Sequence, residues 1–314
     1  MLVLKKNRWL SLLFVLRGST LPKIWMRLSA VTIVAVVVTV LNQRYGYLEV
    51  GLTTTPFSLI ALALGIFLGF RNNTSYDRFW EGRKLWGRLV NTSRTLARQI
   101  TTLIGPVREL GEDDELATIH RELVHRLVAY VHAFRHHLRD EELFEDALPF
   151  LPQQEGEALK GESNVPIAIL HGLAKRFRTL YDQGRIHPVH FQVLEESLAQ
   201  LTDIQGGCER IRSTPIPSSY TVLIHRLVAT YVFALPFGLV NTVGVFTPEV
   251  TFLVAYAFLG LDAIGDEIEE PFGHEDNDLP LTTLSRMIEV NLRQRVGDTE
   301  LPPLLKPDES GLLS

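Results

Sequence analysis

One cysteine in 314 residues, Cys208, excludes an intrachain disulfide and any cysteine-built metal cluster. Its default reading is a buried, inert thiol. There is no basic surplus: 31 Lys and Arg stand against 36 Asp and Glu, a net charge of −5, which argues against a nucleic-acid partner. The chain lacks a Gly-x-Ser-x-Gly elbow, a phosphate-cradling Gly-x-x-x-x-Gly-Lys run and a His-Glu-x-x-His zinc motif, so no enzyme signature is present. A secretory signal is also missing. Residues 9–16 are apolar and follow Lys5, Lys6 and Arg8, but Arg17 comes directly after and no small-residue cleavage site appears. An amphipathic helix in the membrane interface fits residues 1–27 better. No internal repeat, low-complexity block or strand-and-turn alternation is seen.

What the chain does have is long uncharged runs near both ends, around a polar middle. Residues 50–70 carry no charge until Arg71, and about 20 apolar residues in a helix cross a hydrocarbon core of roughly 30 Å. Proline is tolerated in a first turn, so Pro56 marks the entry. Along this helix Ala61, Gly65 and Gly69 form a small stripe that permits close helix packing. Leu62, Ile66 and Phe70 form a bulky stripe beside it. The commoner reading of such a stripe is a lipid-facing surface; the alternative is a helix packed against copies of itself around an axis. Residues 28–43 make a slightly short first span, residues 227–245 a third with Pro236 as a kink site, and residues 250–261 a fourth, short if it crosses alone. Arg71, Arg78, Arg83, Lys84, Arg88, Arg94 and Arg98 crowd the exit of the second span and mark the cytoplasmic side. Both termini are then cytoplasmic. The expected fold is all-α: four transmembrane helices and a helical cytoplasmic domain. The expected divisions are 1–27 interfacial, 28–70 transmembrane hairpin, 71–218 cytoplasmic, 219–264 the last two spans, 265–300 an acidic junction with a C-terminal helix, and 301–314 a loosely attached tail.

The periodicity predicts that the second helix continues out of the membrane as an amphipathic rod, ended by Gly105 and Pro106. Glu112, Asp113 and Asp114 open another helix, whose buried face is Leu123, Leu127, Val131, Phe134 and Leu138. Helices over 167–181 and 189–204 follow, the latter closed by Gly206 and Gly207. Two groups invite a metal reading. His132 and His136, four apart and near His125 and His137, have helix spacing for a metal, against the commoner solvated or hydrogen-bonded face. Asp262, Asp266, Glu267, Glu269, Glu270, Glu275, Asp276 and Asp278 form an acidic cluster broken by Pro271-Phe272-Gly273. Either a solvated collar that attracts cations or a hard-cation site would use it. A membrane-anchored metal-dependent enzyme built on this cluster is the rival reading from another class.

Phe67-Leu-Gly-Phe-Arg-Asn-Asn-Thr-Ser-Tyr-Asp-Arg-Phe-Trp-Glu-Gly-Arg, with Leu85-Trp-Gly87, Pro56-Phe-Ser58, Gly206-Gly-Cys-Glu-Arg210, Glu270-Pro-Phe-Gly273 and Asn277-Asp-Leu-Pro280, resembles the bacterial branch of the bestrophin family. The resemblance spans nearly the whole chain. It implies a homopentameric ion channel in the inner membrane, in contact with lipid, passing monovalent ions through one central pore and needing no catalytic cofactor. It also implies a pore neck at Leu62, Ile66 and Phe70. The turn Gly184-Arg185-Ile186 with Pro188 matches the family's second constriction, which falls on Val189. Animal members hold calcium at a junction whose positions match Glu267, Glu270, Glu275 and Asp278 here. The animal pattern has amides at the first two and aspartates at the last two, so this chain departs from it. Animal relatives pass chloride; the acidic exit leans the expectation here toward cations.

Overall fold

The structure, a computed structural model, describes residues 1–2, 15–46, 53–105, 114–141, 145–308 and 310–313. Among them there are helices and no strand, only two isolated bridges, Leu2 with Leu312 and Ile104 with Ile186. Most of the expected interfacial helix, the Glu112–Asp113 helix start and Pro106 lie outside the described residues.

Helix α1 spans Leu21–Tyr45, with Pro22 in its first turn and Gly46 in the left-handed conformation after its last residue. It begins earlier than the apolar run, so Lys23 and Arg27 are helical. Helix α2, Thr54–Leu103, has 50 residues and is about 75 Å long. It is the continuous rod that the periodicity predicts. Helices α3 (Asp114–Leu138), α4 (Gln153–Leu159), α5 (Val165–Asp182) and α6 (Pro188–Ser213) follow. Then come α7 (Ser218–Val243), α8 (Thr247–Glu269) and α9 (Leu281–Arg295).

Two expected boundaries are corrected. Helix α6 does not stop at Gly206-Gly207 but runs to Ser213. A Cβ at Gly207 would stand 3.0 Å from Leu85, so this glycine serves close approach of α6 to α2 rather than helix termination. The fourth span is longer than its uncharged residues 250–261: α8 begins at Thr247 and carries Asp262, Asp266 and Glu267 as part of the helix. The chain reverses between α7 and α8 through the one-turn 3-10 helix Gly244–Phe246, and the two helices pack on each other.

The stretches Leu21–Tyr45, Thr54–Leu103 and Ser218–Glu269 are long and apolar enough to cross a membrane. Their apolar core joins Ile24, Leu28 and Val31 of α1 to Leu64 and Leu68 of α2, Ile224, Val228 and Leu235 of α7, and Ala255 and Leu259 of α8. A second, larger core is built from the later half of α2 with α3, α5, α6 and α9, around Trp86, Tyr130, Phe134 and Phe177. Cys208 is buried there, and burial pushes its thiol pKa far up, as expected of an inert thiol. The tail is less loose than expected, since Leu313 N donates to Met1 O at 2.9 Å.

Candidate functional site

Helix α2 links the two cores and carries the first candidate site. In its membrane half the buried line is Leu64, Leu68, Arg71 and Ser75. About 100° separates successive residues round a helix, which puts the stripe Leu62, Ile66 and Phe70 on the opposite side. These three are 65, 51 and 62% exposed on the subunit. A Cβ added at Gly65 or Gly69 would meet nothing within 4 Å among the described residues, so of the small stripe only Ala61 packs within the chain, against the membrane core. The subunit covers only a narrow face of this helix.

Val189 sits in the first turn of α6, 62% exposed. His187 caps that helix, accepting from Val189 N at 3.3 Å, and Gly184 supplies the positive φ of +73° for the preceding turn. The turn is tied to the far end of α2: Gly105 N donates to Arg185 O at 2.9 Å, and His190 Nδ1 bonds Leu103 O at 3.2 Å. One rod therefore carries the 62/66/70 stripe and braces the Val189 turn about 50 Å away.

At the foot of the stripe, directly after Phe70, the Arg71 side chain is buried. Its Nη1 donates to Asp262 Oδ1 at 2.8 Å and its Nη2 to Asp266 Oδ1. His225 Nδ1 bonds Asp262 Oδ2 at 2.6 Å, and Asn72 Nδ2 donates to Leu261 O at 3.0 Å. His225, Asp262 and Asp266 are the only set of three or more such donors close enough to share a metal among the described residues, and the guanidinium already bonds both carboxylates. The cluster reads as an ion-paired bolt between α2, α7 and α8. Sequence reasoning saw its members separately. The signal was an arginine placed where the uncharged run of α2 ends, with acids where that of α8 ends.

The four positions of the animal calcium site do converge. Glu267, Glu270, Glu275 and Asp278 line one cavity of about 640 Å³ together with Lys23 and Arg27. Four of their eight carboxylate oxygens are already engaged, and Glu270 stands exposed. Lys23 Nζ is 3.4 Å from Glu267 Oε2 and bonds Glu275 Oε2; Asn277 Nδ2 donates to Glu267 Oε1 at 2.8 Å; the Glu275 amide donates to Asp278 Oδ2 at 2.7 Å. Calcium takes six to eight oxygens, and here an ammonium, an amide and a main-chain N–H hold half of those the four carboxylates offer, with the ammonium itself standing between Glu267 and Glu275. With Lys23 in place the residues present do not fit calcium. The collar is in part solvated and in part paired: Glu270 is exposed, while Arg71 pairs with Asp262 and Asp266, Lys23 with Glu267 and Glu275, and Arg17 with Asp276 at 3.3 Å. Among the described residues Asp278 is buried without a salt-bridge partner. Burial pushes its pKa up, the Glu275 N–H opposes this, and the charges of Glu275 and Glu267 add to it, leaving it at about 6.

The histidines of α3 do not converge on a metal. His132 is buried against Glu289 at 3.1 Å, His125 meets Asp298 at 2.8 Å, His137 meets Glu209 at 3.1 Å, and His136 pairs with Glu141. The hydrogen-bonded reading holds, but His132 faces the core and not water. Glu289 also pairs with Arg293 at 2.9 Å and Arg286 at 3.3 Å. Burial alone would raise its pKa; His132 and the two arginines more than offset this and lower it.

Helices of membrane-crossing length joined to a helical domain by one long rod define a class, the polytopic helical membrane protein. Comparison with known proteins narrows it. A family model described as "Bacterial/Fungal Bestrophin protein" matches residues 1–294. A voltage-dependent anion channel-forming protein of Ralstonia nicotianae is 42% identical over 301 residues, covering 96% of each chain. One of the same description from Escherichia coli is 34% identical over 308 residues, covering 98% of each. The solved structure of a bacterial bestrophin homologue from Klebsiella pneumoniae superposes with a TM-score of 0.82 at 34% identity, over 88% of this chain and all of that one. The chain belongs to the bestrophin family, in its bacterial and fungal branch.

Proposed function

We propose that this chain is an ion channel, assembled as a homopentamer, in which Leu62, Ile66 and Phe70 of α2 line a narrow neck and Val189 a second, cytoplasmic constriction. The family and its named relatives support a channel rather than an enzyme. The observation that carries the residue assignment is the outward stripe of α2, opposite the face that the subunit itself covers. Under fivefold symmetry each side chain becomes a ring. Three stacked apolar rings make a constriction that water can vacate, so an ion entering it loses hydration without gaining a ligand. Packing of Gly65 and Gly69 against the neighbouring α2 would use the part of the small stripe that is open within the subunit.

The chain is read as crossing the inner membrane four times, by α1, the first half of α2, α7 and α8, with both termini cytoplasmic. The arginines along α2 just past Phe70 support that orientation. The permeant ions are monovalent. The neck rings are apolar and do not choose a sign. The acidic exit was the ground for cations, and five of its eight carboxylates have cations of their own; the relatives named above are described as forming anion channels. Reversal potentials of the purified channel in asymmetric NaCl separate the two signs.

Replacing Ile66 or Phe70 by alanine widens a ring and raises single-channel conductance in planar bilayers, by about twofold or more if the neck limits flow. Unchanged conductance in both variants would return the stripe to the lipid.

A further inference from the structure

We propose that Lys23 is a resident counter-ion: its ammonium takes the place among Glu267 and Glu275 that a divalent cation would need, and it holds the membrane–cytoplasm junction together without one. The inference rests on the geometry of the junction and not on the pore assignment.

Lysine is poorly suited to where it stands. It lies in the first turn of α1, at the positive end of the helix dipole, and that turn holds no acidic residue. A cation there is unfavourable unless something else holds it. What holds it comes from the other end of the chain, 252 residues away, where Glu275 Oε2 accepts its hydrogen bond and Glu267 Oε2 lies 3.4 Å off. Neighbouring contacts tie the same two segments. Asn277 Nδ2 donates to both Gly18 O at 3.1 Å and Glu267 Oε1 at 2.8 Å, and Arg17 pairs with Asp276 at 3.3 Å. The strap before α1 thus docks on the turn after α8, with Lys23 at its centre. The Glu267 side chain is almost wholly enclosed, and both its oxygens are used, one by the lysine and one by the asparagine. An ion entering this cavity would have to expel the ammonium or share the acids with it.

Thermal unfolding of the full-length, detergent-solubilised protein, in EGTA and in about 1 mM calcium, tests this. Wild type should unfold at the same temperature in both, to within about 1 °C, and Lys23→Arg should do the same. Lys23→Met, which keeps the bulk and removes the charge, should unfold about 2 °C lower in EGTA and recover at least half of that in calcium. A calcium-induced rise in wild type would show that the ion binds despite the lysine and would overturn the proposal. So would a Lys23→Met protein as stable as wild type in EGTA. A Lys23→Met protein that calcium does not rescue would reduce Lys23 to an ordinary ion pair and also overturn it. If that variant does not fold, the wild-type comparison still decides. None of these readings involves conduction, so their failure is distinct from failure of the neck.

Discussion

Glu289 in the larger helical core and Asp278 at the junction after α8 are almost equally buried, 5% and 4% exposed, and are driven in opposite directions. Burial raises the pKa of both. Glu289 has His132, Arg286 and Arg293 around it, and their hydrogen bonds and charge overturn that effect and lower it. Asp278 has one main-chain N–H, with Glu275 and Glu267 as neighbours, and its pKa rises to about 6. Burial is a common cost of both carboxylates; the partners set the sign of its consequence. The junction is built with one lysine among several acids, whereas the domain core holds its acid with an excess of cations.

The comparison can be broken most forcefully at Glu289. Glu289→Gln leaves Arg286 and the buried His132 without their anion, Arg293 keeping Asp298, and should cost about 3 kcal/mol at neutral pH, read from thermal or denaturant unfolding. Because the folded pKa lies below the ordinary glutamate value, the stabilisation is present above that value and lost as pH falls through the folded one. The gap between wild type and variant should therefore close on acidification.

Asp278→Asn should behave the opposite way. The folded pKa of about 6 exceeds the unfolded 3.8, so the contribution of Asp278 is full below about pH 4 and lost as pH rises through 6. Asparagine can still accept from the Glu275 N–H, and at about pH 7.5 the variant should be the more stable protein by on the order of 2 kcal/mol, with no advantage at about pH 4. Parallel pH profiles for the two variants would show that burial and not partnership controls these sites.

The smallest effect sharpens the contrast within the junction itself. Lys23 and Glu275 are partly exposed, so their pair is worth less than about 1 kcal/mol and is screened by salt. At about 1 M salt the Debye length falls to about 3 Å, and the difference between wild type and Lys23→Met should shrink, while that for Glu289→Gln persists. Equal salt sensitivity in unfolding experiments would contradict the difference in burial.

How much of this was legible before the structure differs by element. The α2 rod was readable from end to end, because an uncharged run passes into amphipathic spacing with no breaker between them. The end of α6 was misread at Gly206-Gly207: glycine marks both helix stops and close helix contacts, and only the approach of Leu85 distinguishes them. The acidic cluster was legible as a list of residues but not in its pairing, since Lys23, Arg17 and Arg71 lie some 190 to 260 positions away from the acids they pair with.

By itself the sequence determined what depends on neighbours along the chain: which runs are apolar enough for lipid, which are helical, where positive charge collects, and that Leu62, Ile66 and Phe70 share one helix face. Tertiary structure alone decided which side of α2 the chain itself covers, which acids keep a cation, and that two positions of the animal calcium site, Glu267 and Glu275, are held here by an ammonium. Those outcomes rest on distances between groups far apart in the chain, and Coulomb and hydrogen-bond energies depend on such distances and on burial rather than on order in sequence.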